Sequence, residues 1–275
     1  MRLFAPLILS TLLAPLALPS RAAEAAAAPA PAASIAPAAA EAGLRRAEAL
    51  GERLLRLDRA AWVASDALMA AQRGRGDARV RGWITVERAD GIDVVFVDAT
   101  PAALYRVPID ADGHPAGPVD DAPPPLSAAE VAQAQARAIA LAAAPPSCSG
   151  LYNPVLIPGD ADDDWVVYVI PGTQDNAVLP LGGAWRYEVR AGQIVMRRPF
   201  TNSCIALDNR GDGDSKAFIV SHLLDDIPTE IHVFWSLWSG KSLFVTTQSG
   251  VWSIEQGKIS AVKDDDKPAT LPAKP

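Results

Sequence analysis

Side chains able to do acid–base or nucleophilic chemistry are sparse in this sequence and gather in its second half. His222, Asp225 and His232 offer a base, a carboxylate to orient it and a second imidazole, the parts from which a hydrolase site is built. Their spacing matches no standard arrangement: the chain has no His-Glu-x-x-His for zinc and no Gly-x-Ser-x-Gly elbow for a serine nucleophile. Pro228 interrupts the run between the two histidines, so whether they meet depends on the fold. Arg198, beside Thr201 and Ser203, and His222, beside Asp225 and Asp226, are candidate polar binding groups, although a surface loop or a satisfied strand partner is the plainer expectation for each. The missing catalytic signatures favour a non-enzymatic binding protein. A hydrolase with a non-standard site near His222, Asp225 and His232 is the alternative.

Other groups invite a ligand. Asp208, Asn209, Asp212 and Asp214 form an oxygen-rich loop of the kind that holds calcium, which makes a calcium-stabilised surface protein the third class. As an EF-hand the loop fails, because Arg210 takes the third position and Ile219 stands where the bidentate glutamate belongs. Asp160, Asp162, Asp163 and Asp164 precede an apolar strand, where charge keeps a turn solvated and discourages edge pairing. Gly240-Lys241-Ser242 ends like a phosphate-binding loop, but Trp235 occupies the place of its first glycine; a hairpin turn between two strands is expected. Trp235 and Trp238 fall three apart in a predicted strand and so face opposite sides, leaving Trp238 as a candidate binding aromatic at a hairpin tip. No cofactor motif is present.

The start of the chain sets the compartment expected for these groups. Met1-Arg2, the apolar run Leu3 to Leu18 and Ser20-Arg21-Ala22 read as a cleaved signal peptide over residues 1–22, too short for a permanent span. A periplasmic or secreted location follows, and there Cys148 and Cys204 are expected to pair as a disulfide; a nucleophilic cysteine with His222 or His232 as base is the lesser reading. Without Arg2 and Arg21 the 25 basic residues fall to 23 against 32 acidic ones, a net charge of −9. That balance argues against nucleic acid and anionic membrane surfaces as partners. An envelope protein or a ligand remains.

Residues 23–43 are an Ala/Pro-rich run expected to be an extended linker. From Leu44 apolar residues step by three and four through Leu50, Leu54, Leu57, Ala61, Ala64 and Leu68, with arginines between them, which predicts one long amphipathic helix. Its stripe could be the seam of a coiled-coil dimer, but Gly51 and the lack of clean heptads favour packing on the domain's own sheet. Strands are expected over 80–88, 92–98 and 103–109 as a meander, then a second helix opened by the capping box Ser127-x-x-Glu130. Thereafter the pattern reads as β: 152–157, 165–170, 185–190, 193–197, 203–207, 217–220, 230–237, 243–247, 251–255 and 259–262, ending in a charged tail over 263–275.

The strings Leu57-Asp-Arg-Ala-Ala-Trp-Val-Ala-Ser-Asp-Ala-Leu68, Arg81-Gly-Trp-Ile84 and Arg198-Pro-Phe-Thr-Asn-Ser-Cys204 resemble a family of exported proteobacterial proteins with no assigned activity. The order of a helix followed by Tyr/Val-rich strands with a glycine turn, Ala128 to Arg197, is loosely similar to PepSY-type periplasmic modules, a likeness that implies a non-enzymatic role. The fold expected is α+β over 44–262, divisible at 44–120 and 126–262: mostly antiparallel sheet packed with one long N-terminal amphipathic helix and one shorter helix.

Overall fold

The structure, a computed structural model, describes residues 36–161, 163–173, 175–210 and 217–263. The signal peptide over 1–22, most of the linker, Asp162, Asp212, Asp214 and the tail beyond Lys263 lie outside the described residues.

Helix α1, Pro37–Ala71, begins inside the segment read as linker. Pro37 at the first helical position presets φ, alanine has the highest helix propensity, and Glu41 pairs with Arg45 one turn on, so residues 37–43 are helical rather than extended. The buried stripe is the expected one, with Ala47, Leu54, Leu57, Ala61, Ala64 and Leu68 inside the domain. Gly51 has a packing reason. A Cβ there would lie 2.5 Å from the Val233 side chain, so the glycine lets a later helix cross α1 closely.

Strands β1 (Gly82–Arg88), β2 (Gly91–Val97) and β3 (Ala103–Asp110) form the antiparallel meander. Helix α2, Ala128–Ala143, opens with the capping box: the Ser127 N–H donates to Glu130 Oε2 at 2.7 Å, and the Glu130 N–H donates to the Ser127 hydroxyl at 3.3 Å. Next come β4 (Tyr152–Pro158), β5 (Asp164–Pro171), β6 (Val178–Pro180), β7 (Trp185–Arg190), β8 (Gln193–Pro199) and β9 (Ala206–Asp208). Strands β4, β5, β7 and β8 make an antiparallel sheet in that order, while the short β6 pairs with β9. The β7–β8 connection is Ala191-Gly192 with φ of 45° and 73°, the double positive φ that two-residue hairpins require.

The two sheets share their covers. On one face Leu156, Val167, Val169 and Tyr187 meet Ala136 and Ala140 of α2, and Ile84, Val95 and Val97 meet Ala134. On the other, Val155, Tyr168, Ile170, Val94, Phe96 and Ile109 join α1 in the main core. The period-two alternation of each strand thus feeds two helical layers.

The C-terminal part departs from expectation. Strand β10 (Ala217–Ser221) is followed by helix α3, Glu230–Ser239, where a strand is predicted, then β11 (Ser242–Thr247), β12 (Gly250–Glu255) and β13 (Lys258–Ala261). Because α3 intervenes, β10 pairs with β11 in parallel, and only β11, β12 and β13 run as antiparallel hairpins. Val, Ile, Phe and Trp gave the segment a strand composition, but every residue from Glu230 to Ser236 is buried, and a helix buried all round shows no amphipathic period. Gly240, with φ 68°, ends it as a left-handed C-terminal cap. Gly240-Lys241-Ser242 is therefore a helix-to-strand joint, not a hairpin turn. A phosphate loop needs the reverse order, strand then helix.

The fold is α+β, with three helices and thirteen strands among the described residues. Cys148 and Cys204 form a disulfide with Cα atoms 5.5 Å apart, closing the loop from α2 to β9. On the chain-entropy model such a loop contributes about 4 kcal/mol. Among the described residues no helix is long and apolar enough to cross a membrane.

Candidate functional site

Four of the residues marked in the sequence come together. His222 follows β10, Asp225 lies in the next loop, His232 is in the first turn of α3, and Arg198 projects from β8. Arg198 Nη2 donates to both oxygens of Asp225, at 2.6 and 2.5 Å, while its guanidinium carbon sits 4.5 Å from the centre of the Phe200 ring. His222 Nε2 is 2.7 Å from Asp225 Oδ2, and the two imidazole rings meet edge to face at 4.6 Å. Burial pushes the Asp225 carboxyl up, but the His222 hydrogen bond and the Arg198 charge more than offset it and hold the carboxyl below its usual range.

His232 is committed to the helix start. The Thr229 N–H donates to His232 Nδ1 at 3.1 Å, and the Thr229 hydroxyl lies 2.9 Å from the same nitrogen. Since a backbone N–H can only donate, Nδ1 is unprotonated and the ring is neutral. Burial, then the neighbouring His222, pull its pKa down to about 3. Such a ring is a poor base at neutral pH. His222 and His232 are only 3% and 2% exposed, and among the described residues no hydroxyl or thiol is hydrogen-bonded to the His222 ring. The cluster has the base–carboxylate contact of a hydrolase without a nucleophile in place. What it does achieve is to pin the 222–229 loop and the start of α3 to the edge strand β8, with no buried polar atom of the four side chains left unpaired.

The other marked residues lie elsewhere. Trp238 is not at a hairpin tip: it lies on α3 on the same side as Trp235, since three residues in a helix return to nearly the same face. Its ring packs edge to face against Trp235 at 5.4 Å and Trp62 of α1 at 6.5 Å, which makes it helix–helix packing. In the acidic loop, the Asp208 oxygens are taken by Arg210 at 2.8–3.2 Å, and the Arg210 side-chain and backbone donors hold the carboxyl down at about 2. The Lys241 ammonium reaches the Asn209 carbonyl at 3.5 Å. These two cations compete with any cation there, while Asp212 and Asp214 lie outside the described residues. Among the described residues no three acidic, histidine or cysteine side chains gather as a metal-ligand set.

A second polar group was not anticipated. Nine buried side-chain polar atoms have no hydrogen-bond partner among the described residues, and three of them, Gln72 Oε1, Arg137 Nε and Tyr152 Oη, belong to residues lining one cleft of about 440 Å³. The cleft lies where the end of α1, the start of β1, α2 and the start of β4 converge, and Leu68, Met69, Trp83 and Phe96 supply its apolar wall. Two other arginines with an unpaired Nε, Arg106 and Arg186, have their terminal nitrogens on carboxylates. Arg137 has neither an ion pair nor a hydrogen bond among the described residues; it lies 5.6 Å from the centre of the Trp83 ring. Burial alone pulls its pKa down to about 10, so it remains charged at neutral pH.

Local structure holds this arginine in place. Glu130, Gln133 and Arg137 step by three and four along α2 on the side that carries the buried Ala134 and Ala140. Glu130 binds Arg106 at 2.7 Å and Gln133 donates to the Thr85 carbonyl at 2.8 Å, which leaves Arg137 as the unmatched member. A Cβ on Gly82 would lie 2.2 Å from Arg137 Nη2, and Gly82 has φ +152°, so the guanidinium occupies room that only glycine leaves. That polar stripe inside an alanine-rich helix was the available sequence signal. Compared with known proteins, the chain matches no family model, no curated protein and no solved structure.

Proposed function

We propose that this is an exported, non-enzymatic protein that binds a ligand in the cleft at Arg137. The observation that carries the reading is that three residues lining one cleft, Gln72, Arg137 and Tyr152, each hold a buried polar atom without a partner among the described residues, and that one of them is a cation. Each such group costs about 1–3 kcal/mol when left without a partner, and a ligand that pairs them recovers that cost on binding. The volume falls within the roughly 300–1,000 Å³ of small-molecule sites, and an apolar wall with a few polar groups is their usual lining. Export is supported by the signal-like first residues and by the disulfide, which suits an oxidising compartment. The likeness to exported proteobacterial proteins and to PepSY-type modules points the same way. The hydrolase alternative has its residues assembled, but buried and engaged with one another.

Amide chemical-shift mapping of the full chain against a fragment library of mixed charge tests this. Hits should move the amides of Gln72, Gly82, Trp83, Arg137 and Tyr152. Turnover of ester, peptide or glycan panels that disappears in a His222→Ala variant contradicts the reading, as does a library that leaves the cleft amides unmoved.

A further inference from the structure

We infer that the ligand of the cleft is a small organic carboxylate with an apolar body and a hydroxyl or N–H donor. The inference rests on the cleft being the binding seat and adds the chemical class. Charge comes first. Two cations line the cleft without a carboxylate partner among the described residues: Arg137, and Arg81, whose Nη1 donates to the Ala78 carbonyl at 2.7 Å. The one acid in the wall, Asp77, is already taken by the Arg79 guanidinium at 2.6 Å and the Tyr105 hydroxyl at 2.7 Å. Those hydrogen bonds hold its carboxyl well below the usual range. The cleft therefore presents net positive character on a chain whose overall charge is −7. A single compact anion suits that balance, and a polyanion does not.

Shape and polarity narrow the class. A guanidinium offers a planar fork that matches a carboxylate with two parallel hydrogen bonds. Its place over the Trp83 ring and against Gly82 restrains the Arg137 guanidinium, which lowers the entropy cost of presenting it. Met69, 43% exposed, continues the apolar wall toward solvent, where a hydrocarbon body would cover it. Gln72 Oε1 can only accept, and Tyr152 Oη can donate or accept, so a ligand that carries a donor near its carboxylate satisfies both.

Calorimetric titration of the full chain with octanoate, its β-hydroxy derivative, octanol, octyl phosphate and octyltrimethylammonium tests the class. Octanoate should bind, its β-hydroxy derivative more tightly, and octanol more weakly by roughly tenfold or more, the worth of one charge-assisted hydrogen bond. The ammonium compound should not bind. In Arg137→Gln the octanoate affinity should fall by a similar factor while octanol is unaffected; Arg137→Lys, which keeps the charge without the fork, should recover part of the loss. Octanol binding in the cleft as tightly as octanoate, or octyl phosphate binding more tightly than either carboxylate, overturns the assigned class and leaves the binding seat standing. Octanoate affinity unchanged in Arg137→Gln also overturns it. If no probe of any charge moves the cleft amides, the seat itself is refuted along with the class.

Discussion

The two polar regions of this domain differ in what their groups lack. Around Asp225, an arginine, two histidines and a threonine engage one another, and none of those side chains leaves a buried polar atom unpaired. Around Arg137, an arginine, a tyrosine and a glutamine each leave one. The first region contains the two histidines and the carboxylate that suggest acid–base chemistry, and among the described residues the cleft contains no histidine. Titratable residues close in sequence point to the self-satisfied network, whereas the proposed ligand seat lies where partners are missing. Burying polar groups without partners costs stability, and the proposed ligand accounts for that cost where three such atoms belong to the lining of one cleft.

That contrast can be tested through pH and substitution. The largest effects should come from buried titratable groups. His232 has a pKa of about 3 in the folded chain against an ordinary 6.5, so the unfolded chain binds more protons between these values. Its contribution is complete above pH 6.5 and is lost as pH falls, by about 3 kcal/mol at pH 4. Asp58 has one side-chain partner, Asn153 at 3.3 Å, and burial lifts its pKa from 3.8 to about 6. There the folded chain holds the extra protons, so stability rises as pH falls from about 6 to 3.8, again by about 3 kcal/mol. The two slopes oppose each other. Urea titrations should show a shallow dependence in the wild type between pH 4 and 6, a falling one on acidification in Asp58→Asn and a rising one in His232→Asn. Asp58→Asn should also be the more stable protein at pH 7.

Asp225→Ala comes next, because it strands Arg198 and His222 together. The loss should be about 2 kcal/mol, less than for a fully buried pair because the carboxylate is partly solvated. A chemical denaturation curve measures it, and an unchanged midpoint would remove the clamp role of the network. Gly82→Ala should cost about 1–2 kcal/mol through backbone strain and displacement of the Arg137 guanidinium. Its calorimetric signature should be loss of octanoate binding; retained binding would mean that the seat of the guanidinium is not needed.

Much of the fold was legible because local signals agreed. Ser127 and Glu130 announced the second helix through complementary capping, and the glycine turns at Gly192 and Gly257 fixed two hairpins through their positive φ. The segment 230–239 misled because a fully buried helix and a buried strand share apolar, aromatic composition, and the cap at Gly240 resembled a turn. The meeting of His222 with His232 is tertiary: one follows a strand, the other opens the helix that crosses back over it. Arg137 was missed because a lone arginine in an alanine-rich helix reads as solvated. Only the register with Glu130 and Gln133 places it on the buried side.

The smallest expected effect is the most telling. In urea unfolding without added ligand, Arg198→Met should lose about 2 kcal/mol, since it leaves the Asp225 carboxylate without its arginine. Arg137→Met should stay within about 0.5 kcal/mol of the wild type or exceed it, because a half-buried guanidinium without a carboxylate is replaced by an apolar side chain of similar length. A loss in Arg137→Met equal to that in Arg198→Met would show that Arg137 serves the fold, and would contradict its assignment to a ligand.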